Sequence, residues 1–139
     1  MVQRINSRAL TATALGTILA AIGCSGANGY TQSPEQLSPR VDIVSGDHQT
    51  TSVNTAFPTP MKVFFNKNGI ALEGHSITFN APQQGVGGTF PNGGLSVIVV
   101  TDAGGYAEAP PFTANGTPGS YTILAWNTNY QTNFHLTNQ

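Results

Sequence analysis

The stretch from Leu95 to Trp126 constrains the fold most, because it alternates β-rich runs with residues that stop them. Val97-Ile98-Val99-Val100-Thr101 ends at Asp102-Ala103-Gly104-Gly105, and the chain resumes at Tyr106-Ala107. It then passes Pro110-Pro111 and turns through Asn115-Gly116-Thr117-Pro118-Gly119 into Ser120-Tyr121-Thr122-Ile123-Leu124-Ala125-Trp126. Such runs, bounded by Gly, Asn and Pro, predict an antiparallel all-β domain. Charged residues make up 8% of the chain, against roughly 25% in ordinary globular proteins. Thr, Asn, Ser and Gln supply the polarity instead, with 16 Gly and 9 Pro, a mixture that supports strands and turns better than helices. A net charge of −1 with no basic cluster argues against nucleic acid as a partner, since phosphate binding needs concentrated Lys and Arg.

The amino-terminal segment is read separately from the folded module. Arg4 and Arg8 precede an apolar run from Ala9 to Ile22, the order of a signal peptide, and the run is short for a bilayer span. It ends in Ala21-Ile22-Gly23-Cys24-Ser25, which holds the only cysteine. This ending resembles the lipobox of bacterial lipoproteins, with Gly before the cysteine fitting the pattern and Ile22 departing mildly from it. The resemblance implies cleavage after residue 23, a lipid on Cys24 and attachment to a membrane through it. Ser25 stands where an Asp retains lipoproteins at the inner membrane of enteric bacteria, so the implied destination is the outer membrane. Plain secretion and an uncleaved anchor are the alternatives. Residues 24–40 are polar, carry Pro34 and Pro39 and lack apolar periodicity, as a flexible tether does. Beyond residue 23, Arg40, Lys62 and Lys67 face six carboxylates, a net −3, so the module has no charge of its own to hold it on anionic lipid.

From Val41 onward, short extended runs follow one another: Val41 to Ser45, Thr50 to Val53, Met61 to Phe65, His75 to Phe79, a short edge strand near Thr89-Phe90, then the stretch described above, and Thr132 to Leu136. Asn68-Gly69 is a strong hairpin-turn signal. About seven to nine strands at this spacing predict an Ig-like β-sandwich. Val41-Asp42-Ile43-Val44-Ser45-Gly46-Asp47, Ile77-Thr78-Phe79-Asn80-Ala81-Pro82 and, most specifically, Thr113-Ala114-Asn115-Gly116-Thr117-Pro118-Gly119-Ser120-Tyr121-Thr122 resemble the bacterial Ig-like domain of the invasin and intimin type, often called Big-1. The resemblance covers nearly all of residues 41–138. It implies a spacer or presentation module without shared catalytic residues, of the kind that stacks in series in outer-membrane adhesins. One copy and no internal repeat are visible here.

Residues able to carry chemistry are sparse. His48, His75 and His135 are scattered, without the close ligand spacing of a zinc site, so no metal and no cofactor is expected. Asp42, Asp47 and Asp102 lie near strand ends, where carboxylates commonly accept from local backbone amides. Glu35, Glu73 and Glu108 are too dispersed in sequence to suggest an acid pair for glycoside hydrolysis. Ser45-Gly46-Asp47-His48 brings triad residue types together in sequence, but reads as a turn. Asn115-Gly116-Thr117 matches a glycosylation sequon and also reads as a turn. The chain is therefore expected not to be an enzyme, and a small envelope hydrolase is the lowest-ranked reading.

Side-chain alternation carries more information. The resemblance implies that Tyr121, Ile123 and Ala125 point inward, and alternation then turns Leu124 and Trp126 outward, where the family pattern carries Thr or another polar residue. The same logic turns Phe64, Ile98 and Val100 outward, opposite to Val63, Phe65, Val97 and Val99. Gathered on one surface, Trp126, Leu124, Phe64, Ile98 and Val100 would form a contact patch with Trp126 as its anchor. The alternative is that loops cover them or that separate sheets disperse them. The leading functional expectation is a non-enzymatic envelope lipoprotein whose module presents a surface or binds a protein. The alternative is a carbohydrate-binding module that stacks sugars on Trp126, Tyr130 and Tyr106.

Overall fold

The computed structural model describes residues 38–139. The signal-peptide, Cys24 and most of the tether expectations lie outside these residues. The tether boundary is corrected at its end, because Pro39 and Arg40 already belong to the first strand. Pro39 is tolerated there because a missing N–H costs little at the start of an outer strand.

Eleven strands occur among the described residues: β1 (Pro39–Ser45), β2 (Gln49–Thr51), β3 (Lys62–Lys67), β4 (Ile70–Ala71), β5 (Ser76–Asn80), β6 (Gly88–Thr89), β7 (Ser96–Val100), β8 (Tyr106–Glu108), β9 (Thr113–Ala114), β10 (Gly119–Asn127) and β11 (Tyr130–Asn138). One sheet has the order β7-β5-β10-β11-β2; the other has the order β8-β3-β1, with β4 also on β3. A third ladder joins β9 to β6. The chain is an Ig-like all-β sandwich. The count exceeds the expected seven to nine because β4 and β9 are two-residue pairings, below what a hydrophobic pattern can register, whereas the equally short β6 lies where an edge strand near Thr89-Phe90 is expected.

Pairing is antiparallel except where β2 joins β11 in parallel, from Leu136 opposite Gln49 to Asn138 opposite Thr51. That exception arises because the chain changes sheets after β1. Near this change the β1–β3 register shifts between Ile43 and Ser45. Gly46 follows at φ +90°, and a Cβ there would lie 2.5 Å from the Pro60 carbonyl oxygen. Only glycine combines that dihedral with that approach. At Asn68-Gly69 both residues have positive φ, as a type I′ hairpin turn requires, and the Gly69 amide donates to Asn66 Oδ1 at 3.0 Å.

The core is built from alternate residues. Val63, Phe65, Ile77, Phe79, Tyr121, Ile123, Ala125, Phe134 and Leu136 are buried, as period-two reading of these strands predicts. Phe79 and Phe134 lie 6.1 Å apart between ring centres, and Phe90 and Phe112 4.8 Å. Polar groups lock the layers where aliphatic contact ends. Asn138 is fully buried: its Nδ2 donates to Gly87 O at 2.9 Å and Thr117 O at 3.1 Å, and its Oδ1 accepts from the Tyr121 hydroxyl at 3.0 Å. Thr101 Oγ1 similarly donates to Leu72 O at 2.7 Å and accepts from the His75 amide at 2.9 Å.

Two substitutions separate these contributions. Phe134→Ala removes a fully buried ring and is expected to cost about 3–5 kcal/mol. Asn138→Ala leaves the Tyr121 hydroxyl and two carbonyls without their partner and is expected to cost about 2–3 kcal/mol despite its smaller volume change. Urea unfolding followed by Trp126 fluorescence measures both, and an Asn138→Ala cost under about 0.5 kcal/mol would contradict the locking role.

Candidate functional site

The outer face of the five-stranded sheet gathers four of the five expected contact residues. Ile98 on β7 pairs with Thr78 on β5, which pairs with Trp126 on β10, which pairs with Gln131 on β11. In the neighbouring row, Ser96, Asn80, Leu124 and Asn133 follow in the same way. Val100, opposite Ser76, extends the face along the β7 edge. Ile98 and Val100 are 63% and 57% exposed, which leaves them accessible to a partner, whereas Leu124 and Trp126 are half-buried. The Trp126 indole nitrogen is buried and has no hydrogen-bond partner among the described residues.

Phe64 does not join them. It lies on β3 of the other sheet, opposite Tyr106 on β8, with their ring centres 5.1 Å apart. The Lys62 ammonium stands 5.4 Å from the Tyr106 ring centre and 3.7 Å from Glu108, so this second surface is charged. The aromatics expected to stack sugars are also separated. Trp126 belongs to the five-stranded sheet, Tyr106 to the opposite one, and Tyr130 packs against the core with its ring 6.2 Å from Phe65.

Every outward position of β7, β5, β10 and β11 is Ser, Thr, Asn, Gln, His or apolar; none is Asp, Glu, Lys or Arg. At the end of the face opposite Trp126 lies a shallow groove of about 500 Å³, lined by His48, Thr50, Ser120, Thr122, His135 and Thr137 among others. The Ser120 and Thr137 hydroxyls are hydrogen-bonded across it at 2.8 Å.

His48 reaches this groove from the crossover between β1 and β2, with Asp47 just before it. His48 has φ +54°, a conformation costing a non-glycine residue about 1–2 kcal/mol. That bend stacks its ring on His135, with centres 5.0 Å apart and planes within 7°. Gln49 clamps the crossover by donating to Gly46 O at 2.9 Å and Thr59 O at 2.8 Å, while its Oε1 accepts from the Thr59 amide at 3.0 Å. Asp47 Oδ1 accepts from the His48 amide at 2.9 Å and the His135 amide at 2.6 Å. It also lies 3.3 Å from His135 Nδ1, while Oδ2 lies 3.5 Å from His48 Nε2. Burial pushes the Asp47 carboxyl up, but the amides of His135 and His48 outweigh it and hold the carboxyl below its ordinary value near 3.8.

The histidines that look scattered in sequence are thus two neighbours and one outsider. His75 sits apart, edge-on to Phe65 at 5.1 Å. The expectation that turn carboxylates serve local amides holds for Asp102, which accepts from Gly104 and Tyr106 at 2.8 and 3.0 Å. It is incomplete for Asp47, which also bonds a strand 88 residues away. Ser45 Oγ donates to Pro60 O at 3.2 Å, outside the Asp47–His48 pair. Asn115 makes a turn bond to Thr117 and donates to Gly85 O at 2.9 Å. The sequence signal for the His48–His135 neighbourhood was the outward parity of His135 between buried Phe134 and Leu136. The parallel β2–β11 pairing that completes it leaves no mark in local periodicity. The chain matches no protein-family model and no curated protein sequence.

Asp47's depressed carboxyl makes a signed prediction, with His48 and His135 the ionisable groups facing it. A carboxylate favoured by the fold adds stability above its unfolded value, and this is lost as pH falls through the lower folded value. In chelator-treated buffer at acidic pH, the stability advantage of wild type over Asp47→Asn should shrink as pH falls below 3.8 and the carboxylate takes up its proton. A gap independent of pH would contradict the amide-held carboxylate.

Proposed function

We propose that this protein is a non-enzymatic, lipid-anchored protein of the bacterial cell envelope. Its single Ig-like module, of the invasin and intimin type, binds a partner protein through the outer face of the five-stranded sheet. The observation that carries the binding role is the absence of Asp, Glu, Lys and Arg from the paired outward positions, together with Ile98, Val100, Leu124 and Trp126 on one side. Depletion of charge with enrichment of aromatic and apolar groups distinguishes the centre of a protein interface from ordinary surface. A solvated face of a monomeric sheet commonly carries Lys and Glu for solubility, and the opposite sheet of this module does so with Lys62 and Glu108. Anchoring rests on the Arg4–Arg8, apolar run and Cys24 order of the leader, with lipid supplying the membrane affinity that a mildly acidic module lacks.

Both halves are testable in the bacterium that makes the protein. Labelled palmitate should enter the chain, Cys24→Ser should abolish incorporation, and globomycin should block processing. Unchanged processing with no label on Cys24 would defeat the anchor. For the face, a photo-crosslinking residue at Ile98 should give a discrete protein adduct in the envelope, whereas one at Tyr106 on the opposite sheet should not. Equal adducts from both positions, or none from Ile98, would contradict the assignment of the binding face.

A further inference from the structure

We propose that Asp47, His48 and His135 form a surface site for one divalent transition-metal ion at the groove end of the five-stranded sheet. Their ligand atoms all lie within 4.8 Å of one another. Each carboxylate oxygen faces one imidazole, Oδ1 at 3.3 Å from His135 Nδ1 and Oδ2 at 3.5 Å from His48 Nε2, and each separation is close to the edge of a zinc tetrahedron. Zinc–nitrogen and zinc–oxygen bonds of about 2.0–2.1 Å set that edge near ~3.4 Å. The remaining imidazole-to-imidazole distance closes by rotation of His48, whose side chain is 75% exposed. That rotation also takes the ring out of its parallel stack, because an imidazole lone pair lies in the ring plane and stacked rings cannot both aim at one ion.

The carboxylate is oriented before any ion arrives. The His48 and His135 amides fix Oδ1, so the ligand that joins the two chain segments does not have to be ordered on binding. Orientation of a ligand by hydrogen bonds outside the coordination shell is a general feature of metal sites and raises affinity. The backbone supplies the other half. Gly46 at φ +90° and His48 at φ +54° turn the crossover so that His48 lies over His135 rather than along the edge of the sheet. Two imidazoles and one carboxylate select a transition metal over calcium or magnesium, which prefer all-oxygen sets. Within the transition series such a set favours copper over zinc, and three protein ligands leave a coordination position for water or a donor from a partner. The binding face is otherwise without formal charge, so a bound ion would place its only cation beside the Ser120, Thr122 and Thr137 hydroxyls of the groove.

The test uses the full chain in detergent, with zinc chloride as the probe and the imidazole Cε1–H signals of its three histidines as the readout. His48 and His135 should shift together and saturate at one ion per chain, while His75 stays in place. A chelator should reverse the shifts. His48→Gln and His135→Gln each remove a ligand and should weaken binding by at least what losing an outer-shell partner costs, about tenfold or more; His75→Gln and Cys24→Ser should leave it unchanged. The amide spectrum of each variant verifies that the sandwich is intact. Shifts that are absent up to millimolar zinc, shared equally by His75, retained in the glutamine variants or lost with Cys24→Ser would overturn the site.

Discussion

The register of β10 is the constraint on which the rest of the molecule depends. It pairs with β11 from Gly119 opposite Asn138 to Asn127 opposite Tyr130, and with β5 at Leu124, Ala125 and Trp126. A slip of one residue would turn Tyr121, Ile123 and Ala125 to solvent and drive Leu124 and Trp126 inward. Burial of an Ile or Phe contributes roughly 1.5–3 kcal/mol, so alternation alone disfavours the slip. Asn138 makes it more costly still, because its bonds to Gly87, Thr117 and Tyr121 form in only one register. With a single cysteine in the chain, no internal disulfide can share this task.

The same register divides the outer face into two ends with different chemistry. At one end Trp126, Leu124 and Ile98 follow the alternation of β10 and β7, and their position is a direct consequence of filling the core with their neighbours. At the other end, His135 is equally a consequence of alternation on β11, but its surroundings come from elsewhere. The sheet change after β1, made possible by Gly46 packed against Pro60, brings Asp47 and His48 onto the last strand. Asp47 bridges the two segments through a single oxygen, tying the first part of the domain to its final strand. The local cost of the His48 conformation is thus sustained by contacts on either side of it, which is the condition under which backbone strain persists at functional positions.

Much of the sandwich was legible from residues alone. Runs such as Ser76–Asn80 and Ser96–Val100 declare themselves by β-branched and aromatic content and stop at Gly, Asn or Pro, and Asn68-Gly69 specified its turn outright. Period two also divided each strand into two sets, although alternation alone does not say which set faces the core. What was not legible involves partners distant in sequence. Phe64 has the same outward parity as Ile98, yet it belongs to the other sheet, and periodicity carries no information about sheet membership. The two-residue strands β4 and β9 depend on backbone bonds rather than on side-chain pattern. The pairing of β2 with β11 in parallel, and with it the approach of His48 to His135, is set by a crossover whose only local signs are a glycine and a positive φ.

The period-two display of β10 is most directly tested by native-state thiol labelling of single cysteines placed at positions 121 to 125 in a Cys24→Ser background. The structure predicts rapid labelling at 122, slower labelling at 124, and protection at 121, 123 and 125 that is lost only on global unfolding. Protection at 122 and 124 with labelling at 121 and 123, or equal reactivity at all five positions, would contradict the register and with it the assignment of the outer face.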